Sequence, residues 1–213
     1  MKAVLFDWGG VVESHENNNR ELNSAKIRMI KRVKNNISDN EIISKWTYKI
    51  KNEYISIYND LEHINDWINQ INKNFDINLS YDEFKQLYIE EFSKINYYKD
   101  VVAFAHSLKN RCKIGILSNL TIFDKPRIDM QFDLSKFDYV YLSFELGIRK
   151  DNKNIYEYII KELGIVPNDI LFIDDEVQNI KLAKECGINT CLASGYELNK
   201  LKKGVYEFLN LNK

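Results

Sequence analysis

Glycine is missing from one long stretch of this chain, and the signatures of several common protein classes are missing with it. All eight glycines lie outside the stretch from Glu13 to Tyr98. The three cysteines, Cys112, Cys186 and Cys191, are scattered and include no Cys-x-x-Cys spacing. Such a set predicts neither a disulfide framework nor a zinc site, and it favours small core residues in a reducing compartment.

Charge and hydropathy exclude further classes. Lysine and arginine number 30 against 31 acidic residues, so the basic excess of nucleic-acid-binding proteins is absent. No apolar run approaches the length of a membrane span, and the N-terminal run is too short for a signal peptide. There is no Gly-x-Gly-x-x-Gly and no Walker loop. We therefore expect a cytoplasmic protein with no nucleic-acid or membrane partner.

The first apolar run ends in a carboxylate. Ala3 to Phe6 are four apolar residues that predict a buried strand, and Asp7 follows them directly. Gly9 and Gly10 then allow a sharp turn and leave backbone amides open to an anion. This pattern places Asp7 at the carboxyl end of a strand, which is where open α/β sheets bind ligands.

Strands and helices alternate from Asp100 onward. Apolar runs at 114–117, 139–142, 170–173 and 190–193 predict strands, and the segments between and after them predict helices. This alternation is typical of an α/β fold with a doubly wound, Rossmann-like parallel sheet. With 213 residues and 45% hydrophobic content, the chain can form a large core together with a smaller second domain.

The glycine-free stretch predicts that second domain. Ser38 with Glu41 and Ser80 with Glu83 form two capping-box patterns, and each precedes apolar residues at helical spacing. The first of these runs is Ile43, Trp46, Ile50, Tyr54 and Ile57, and the whole stretch predicts about four helices. The predicted division is an α/β core of 1–13 and 99–213 and an inserted all-helical cap of 14–98, and we expect this cap to act as a lid.

Polar residues end three of the predicted strands. Asp7, Ser118 and the pair Asp174-Asp175 should converge, because the carboxyl ends of parallel strands share one edge of a sheet. Carboxylates that lie close together favour a hard cation, and Mg²⁺ is the common choice. Lys150 precedes a helix and can reach the same edge. Carboxylates, Mg²⁺, a hydroxyl and an ammonium together suit phosphoryl transfer through an aspartyl phosphate.

The order of these motifs resembles that of the haloacid dehalogenase superfamily. Val4-Leu5-Phe6-Asp7, Ile116-Leu117-Ser118-Asn119, Lys150 and Phe172-Ile173-Asp174-Asp175 are similar to its four motifs, and the helical block lies where members with a type C1 cap carry theirs. Within the superfamily, the chain looks like the branch that holds α-D-glucose-1-phosphate phosphatase and the N-terminal phosphatase domain of soluble epoxide hydrolase.

The resemblance implies a role for each matched residue. Asp7 would be the nucleophile, assisted by Ser118 and Lys150, and Ser118, Asn119 and Lys150 would bind the substrate phosphate. The metal would be held by Asp7, the Gly9 carbonyl, Asp174 and Asp175. The expected reaction is Mg²⁺-dependent hydrolysis of a small phosphorylated metabolite, such as a sugar phosphate; the sequence leaves the substrate and the oligomeric state open.

Two departures from the superfamily pattern leave alternatives open. Gly9 stands where most of its phosphatases carry a second Asp as general acid, and Asp151 stands where this branch usually has proline. The competing hypotheses are a haloacid dehalogenase, a phosphonatase-like hydrolase that uses Lys45 or Lys49, and a catalytically weak phosphate-binding protein. His15 is a candidate replacement for the missing acid.

Overall fold

The computed structural model describes residues 1–14, 24–46, 50 and 52–211. It divides into two compact units. The α/β unit comprises Met1–Ser14, Tyr97–Asn119 and Asp133–Lys213, and the helical unit comprises His15–Asn96 and Leu120–Phe132.

A parallel sheet organises the α/β unit. Five strands pair in the order β3-β2-β1-β4-β5, and every neighbouring pair is parallel. This order confirms the predicted Rossmann-like fold. The strands are β1 Ala3–Phe6, β2 Lys113–Ser118, β3 Tyr139–Leu142, β4 Ile170–Asp174 and β5 Asn189–Leu192.

Helices make up most of the remaining regular structure in the described part of the chain. They are α1 Ser24–Val33, α2 Asp39–Lys45, α3 Asn52–Ile55, α4 Leu61–Phe75, α5 Tyr81–Phe92, α6 Lys99–Ser107, α7 Asp124–Asp129, α8 Ser143–Leu146, α9 Asn154–Leu163, α10 Val177–Glu185 and α11 Leu198–Leu209. Among the described residues, none of these helices has both the length and the apolar character needed to span a membrane.

The core of the α/β unit forms where the central strands meet α9. All four residues of β1 are fully buried, as are Ile155 and Ile159 of α9. The α9 helix ends at Gly164 with a φ of 60°, the left-handed conformation in which glycine commonly ends a helix. Parallel strands that are covered on both faces read as continuous apolar runs, and for this reason their positions were predictable.

The helical spacing that runs from Ile43 to Ile57 in the sequence is not one continuous helix in the structure. The α2 helix ends at Lys45, and α3 covers only Asn52–Ile55. The buried face is also shifted by one residue, since Ile42 is fully buried and Ile43 is 37% exposed. Trp46 caps α2 and packs its ring against Phe75 with centroids 5.6 Å apart, so tertiary packing overrides the local periodicity.

The two predicted capping boxes differ in the structure. At α5, Ser80 and Glu83 exchange both hydrogen bonds, which confirms the prediction. At α2, the Glu41 amide donates to Ser38 Oγ, but the Glu41 carboxylate pairs with Lys45 at 2.7 Å instead. The Glu41 carboxylate therefore pairs with Lys45, one helical turn away, and not with the backbone amide of Ser38 as the capping-box pattern predicts.

The segment 120–132 packs with the helical unit, although the predicted division assigned it to the α/β core. Phe123 contributes its ring to an aromatic cluster, with centroids 5.5 Å from Phe84 and 5.4 Å from Tyr88. Asp124 is buried and accepts hydrogen bonds from the Tyr88 hydroxyl and the Arg127 guanidinium. The lid function of the helical block stays a prediction.

Candidate active site

The order of the sheet brings the predicted motifs together. Strand β1 lies between β2 and β4, and Phe6 is in register with Ile116 on one side and Ile173 on the other. The chain segments that leave these three strands therefore emerge side by side at one edge of the sheet. Asp7 continues this pattern, because its amide donates to the Ile173 carbonyl at 2.9 Å.

The Asp7 carboxylate is buried and held through both oxygens. Its Oδ1 accepts hydrogen bonds from the Ser118 hydroxyl at 2.7 Å and from the Trp8 amide at 2.6 Å. Its Oδ2 lies 2.5 Å from Lys150 Nζ. Burial raises the pKa of Asp7 to about 7, and the charge of Asp174 adds to this rise against the opposing effect of Lys150. An additional cation beside Asp7 would favour its ionised form.

Lys150 connects two of the carboxylates. Its ammonium is buried and lies 2.7 Å from Asp174 Oδ2 as well as 2.5 Å from Asp7. Burial acts to lower the pKa of Lys150, but the two carboxylates outweigh this effect, so the pKa is raised and the side chain stays charged. The lysine that sequence order singled out is thus a fixed positive charge beside Asp7.

Asp174 is fully buried and accepts three kinds of hydrogen bond. The Glu176 amide donates to Oδ1 at 2.7 Å, Asn179 Nδ2 donates to Oδ2 at 3.1 Å, and Lys150 donates to Oδ2. Asn179 belongs to the first turn of α10, so the helix that follows β4 orients the carboxylate at the strand end. These bonds fix Asp174 more tightly than a strand-end position alone would.

Asp175 sits against the glycine turn that follows β1. A Cβ on Gly10 would collide with the Asp175 carboxylate, and Gly10 has a φ of 75°, which a residue with a side chain rarely adopts. Gly10 therefore has two reasons to be glycine. The second of them, room for Asp175, is not visible in the sequence.

Asp7, Asp174 and Asp175 form a group that can hold a metal ion. Each offers a carboxylate oxygen, these oxygens lie within 4.8 Å of one another, and all three residues are buried. Three carboxylates against the single charge of Lys150 leave an excess of buried negative charge if all are ionised. Oxygen-only ligands of this kind suit a hard divalent cation such as Mg²⁺. The residues present therefore fit the expected metal.

Gly9 and Trp8 belong to the turn rather than to the carboxylate cluster. Gly9 forms a backbone bridge with Glu13, and the left-handed conformation of the turn belongs to Gly10 instead. Trp8 is buried, donates from Nε1 to Glu13 Oε2 at 3.1 Å, and packs edge-on against Tyr97. These contacts give Trp8 a packing role, and the metal-binding role of the Gly9 carbonyl stays a prediction.

Asn119 makes a contact that the sequence did not suggest. Its Oδ1 accepts a hydrogen bond from the Lys150 backbone amide at 2.9 Å. This bond joins the segment after β2 to the lysine loop. Phosphate binding by Asn119 stays a prediction.

Three residues were candidates for alternative roles, His15 as a general acid and Lys45 or Lys49 as a Schiff-base lysine. His15 and Lys49 lie among the residues that the structure does not describe. Lys45 is a partly exposed residue of α2 in an ion pair with Glu41. A Schiff-base lysine is normally desolvated or placed beside another cation, so this ion pair does not favour a phosphonatase role for Lys45.

Tyr156 is a site residue that sequence reasoning missed. Its hydroxyl donates to the Lys150 carbonyl at 2.9 Å, and the whole residue is buried. The only signal available in the sequence was a tyrosine among the apolar positions of α9, where an isoleucine or leucine would serve the core equally well. Buried tyrosines usually place their hydroxyl on a partner.

The chain belongs to the haloacid dehalogenase-like hydrolase family, whose model matches residues 18–193, well over half of the sequence. A solved structure of a haloacid dehalogenase family enzyme from Bacteroides thetaiotaomicron, an Asp-to-Ala variant in complex with magnesium and inorganic phosphate, has the same fold. Its TM-score is 0.70 at 19% identity, covering 89% of this chain and 92% of that one.

Two curated relatives match shorter parts of the sequence. D-ribitol-5-phosphate phosphatase of Bacteroides thetaiotaomicron is 40% identical over 53 residues, which are 25% of this chain and 26% of that protein. Bifunctional epoxide hydrolase 2 of Rattus norvegicus is 32% identical over 82 residues, 36% of this chain and 15% of that protein. The matched region thus spans about a quarter or less of either relative.

Proposed function

We propose that this protein is a phosphatase that hydrolyses a small phosphate ester through an aspartyl phosphate on Asp7, with a divalent cation, Mg²⁺, as cofactor. The observation that carries the proposal is the Asp7 carboxylate itself. It is buried, oriented by Ser118 and the Trp8 amide, and paired with Lys150 beside two further carboxylates.

The residues divide the chemistry among them. Asp7 attacks phosphorus and displaces the alcohol oxygen, which leaves with a proton from solvent; water then attacks the phosphoaspartate and releases inorganic phosphate. Ser118 and Lys150 hold Asp7 during the attack, and Lys150 offsets negative charge at the phosphoryl group. Asp7, Asp174 and Asp175, with the Gly9 carbonyl, would hold the cation, which supplies charge neutralisation when bound.

The relatives and the family support a small phosphorylated metabolite as the substrate class. One curated relative is named as a phosphatase of D-ribitol 5-phosphate, which is a polyol phosphate. Small phosphorylated polyols and sugars are therefore the first compounds to assay. The buried carboxylate cluster favours this function over the dehalogenase hypothesis, since haloacid dehalogenases need no metal. A binding protein without catalysis would have no need of an Asp7 that is oriented through both oxygens.

The nucleophile is tested by substitution. We expect Asp7→Asn to abolish turnover of every phosphate ester without unfolding the chain, because an amide cannot form the phosphoaspartate. Hydrolysis is measured on a panel of phosphorylated metabolites with Mg²⁺ and with EDTA. Asp129→Asn, which removes an exposed carboxylate paired with Lys125, is the matched control and keeps wild-type activity. Full activity of Asp7→Asn, or of the wild type in EDTA, rules the mechanism out.

The metal site is tested separately by calorimetry. We expect Asp174→Asn to weaken Mg²⁺ binding far more than it lowers thermal stability in EDTA. If Asp174 served only as the buried partner of Lys150 and of the Glu176 amide, its loss would lower stability in EDTA and would leave metal affinity unchanged. Titration of Mg²⁺ into both proteins separates the two roles, and equal affinities would refute the ligand role.

A further inference from the structure

The backbone of Lys150 is held on both sides of its Cα atom. Its amide donates to Asn119 Oδ1 at 2.9 Å, and its carbonyl accepts from the Tyr156 hydroxyl at 2.9 Å. Asn119 directly follows β2, and Tyr156 lies in the first turn of α9. Three separate segments of the α/β unit therefore meet at the lysine that contacts Asp7.

The same residues share an aromatic support. The Tyr156 and Phe172 rings have centroids 5.9 Å apart with planes tilted by 57°, and Lys150 Nζ lies 5.7 Å from the Phe172 ring. Phe172 belongs to the central strand β4 and is fully buried. Since the ring contact does not involve the hydroxyl, Tyr156→Phe keeps the packing and removes only the bond to Lys150.

The Tyr156 hydroxyl is suited to act as a lasting donor. Burial raises the pKa of Tyr156, and the negative charges of Asp174 and Asp7 raise it further, so the hydroxyl keeps its proton. A neutral donor fixes the Lys150 carbonyl without adding charge to a site that already holds several. If that donor is lost, the buried carbonyl must find water or shift.

We propose that Tyr156 is a positioning residue for Lys150. Its hydroxyl fixes the lysine backbone so that Nζ stays within 2.5 Å of Asp7 and 2.7 Å of Asp174. Small displacements of a catalytic group are costly even when the displaced residue itself is intact. The kinetic consequence rests on the proposed phosphatase function, whereas the structural consequence for the Lys150 backbone does not.

The kinetic test compares two substitutions in α9. We expect Tyr156→Phe to lower kcat/KM for a small phosphate ester by about 10-fold, because the ammonium loses its fixed position. The inorganic phosphate inhibition constant should rise in parallel. Ile159→Val removes one methyl group from the same buried helix face without touching Lys150, and we expect it to keep activity within about twofold. Equal effects of the two substitutions on kcat/KM would overturn the proposal.

A double-mutant cycle shows whether Tyr156 acts through Lys150. In a Lys150→Met background, adding Tyr156→Phe should leave the residual kcat/KM, or the inorganic phosphate affinity, unchanged. An additional loss of the same size as in the wild-type background would mean that Tyr156 acts by another route, and it would contradict the positioning role.

Hydrogen exchange separates this proposal from the proposed function. In Tyr156→Phe, the Lys150 amide should exchange roughly 10-fold faster than in the wild type, because the loop is then held on one side only. In Ile159→Val its exchange should stay at the wild-type rate. If the wild type neither hydrolyses phosphate esters nor binds inorganic phosphate, the proposed function fails and faster exchange still supports positioning. Unchanged exchange in Tyr156→Phe overturns the positioning role whatever the activity.

Discussion

Within the turn after β1, the two neighbouring glycines have different backbone conformations. Gly10 combines a φ of 75° with close contact to Asp175, so a Cβ there is strained and obstructed. The conformation of Gly9 is not left-handed, since the positive φ of the turn belongs to Gly10. A side chain at Gly9 would therefore not meet the left-handed backbone strain that opposes one at Gly10.

Gly9 leads to a prediction about leaving groups. A positioned general acid typically contributes about 10²–10⁴-fold to a rate. Without one at residue 9, the departing oxygen must leave as an anion or take its proton from solvent. We expect kcat/KM across a series of aryl and alkyl phosphates to fall steeply as the leaving-group pKa rises. A flat dependence would show that another residue supplies the proton.

Two substitutions at Gly9 of similar size test whether the leaving group lacks a proton donor. Gly9→Asp should raise activity on alkyl phosphates more than on aryl phosphates, because only poor leaving groups need the proton. Gly9→Asn has nearly the same size and no acidic proton, so it should not reproduce the gain. An equal gain from both variants would assign the effect to the shape of the turn rather than to acid catalysis.

A cluster of charges links two elements of the helical unit. Glu91 of α5 is buried and accepts from Arg28 Nε at 2.9 Å, from Arg32 Nη1 at 3.2 Å and from Lys94 Nζ at 2.6 Å. The Arg28 guanidinium also donates to the Glu91 carbonyl, so α1 is attached to both the side chain and the backbone of α5. Burial acts to raise the pKa of Glu91, but the three cations outweigh it, and the pKa is lowered.

This cluster should make stability depend on pH in a defined direction. A carboxylate whose pKa is lower in the folded state stabilises the fold above its unfolded pKa, and it loses that contribution as the pH falls through the folded value. Glu91→Gln should therefore lower Tm at pH 7, by an amount equivalent to about 1–3 kcal/mol. The difference from wild type should shrink below a pH of about 4.5, the ordinary pKa of the carboxyl group.

Glu90 provides the control for Glu91. It is the neighbouring residue, its side chain is 40% exposed, and it pairs with the same Arg32. Water and salt screen exposed ion pairs, which therefore contribute little to stability, so Glu90→Gln should change Tm only slightly at any pH. Equal effects of the two substitutions, or a difference at Glu91 that persists unchanged at acid pH, would contradict the role of the buried charge.

The accuracy of the sequence predictions differs between elements for physical reasons. The strands β1, β2 and β4 are buried on both faces, so continuous apolar runs in the sequence predicted their positions. The same runs located Asp7, Ser118 and Asp174, because these residues stand at the ends of the runs. The helical unit was harder, because Ile42 and Ile43 look equivalent in the sequence and only the packing of neighbouring helices decides which is buried. The contacts of Tyr156 and Asn119 with Lys150 depend on loop geometry, and a linear pattern does not report loop geometry.

Across the whole molecule, the chain passes between the two units more than once. The helical unit takes up residues 15–96 and also 120–132, the segment that immediately follows Ser118 and Asn119. The Asp124–Arg127 ion pair is buried within the helical unit, with the Arg127 side chain only 2% exposed. The proposed phosphate-binding residues are thus continuous in sequence with a segment that is anchored in the predicted lid.

That continuity leads to a prediction about substrate size. If the helical unit closes over the site, it excludes water and large substrates together. We expect free phosphotyrosine to be hydrolysed with a far higher kcat/KM than a peptide of several residues that carries phosphotyrosine at its centre. The two substrates release the same phenolic leaving group, so the absence of an acid at Gly9 affects both equally and only size differs. Comparable kcat/KM values would mean that the site is open to macromolecules, and the helical unit would then be a structural addition rather than a lid.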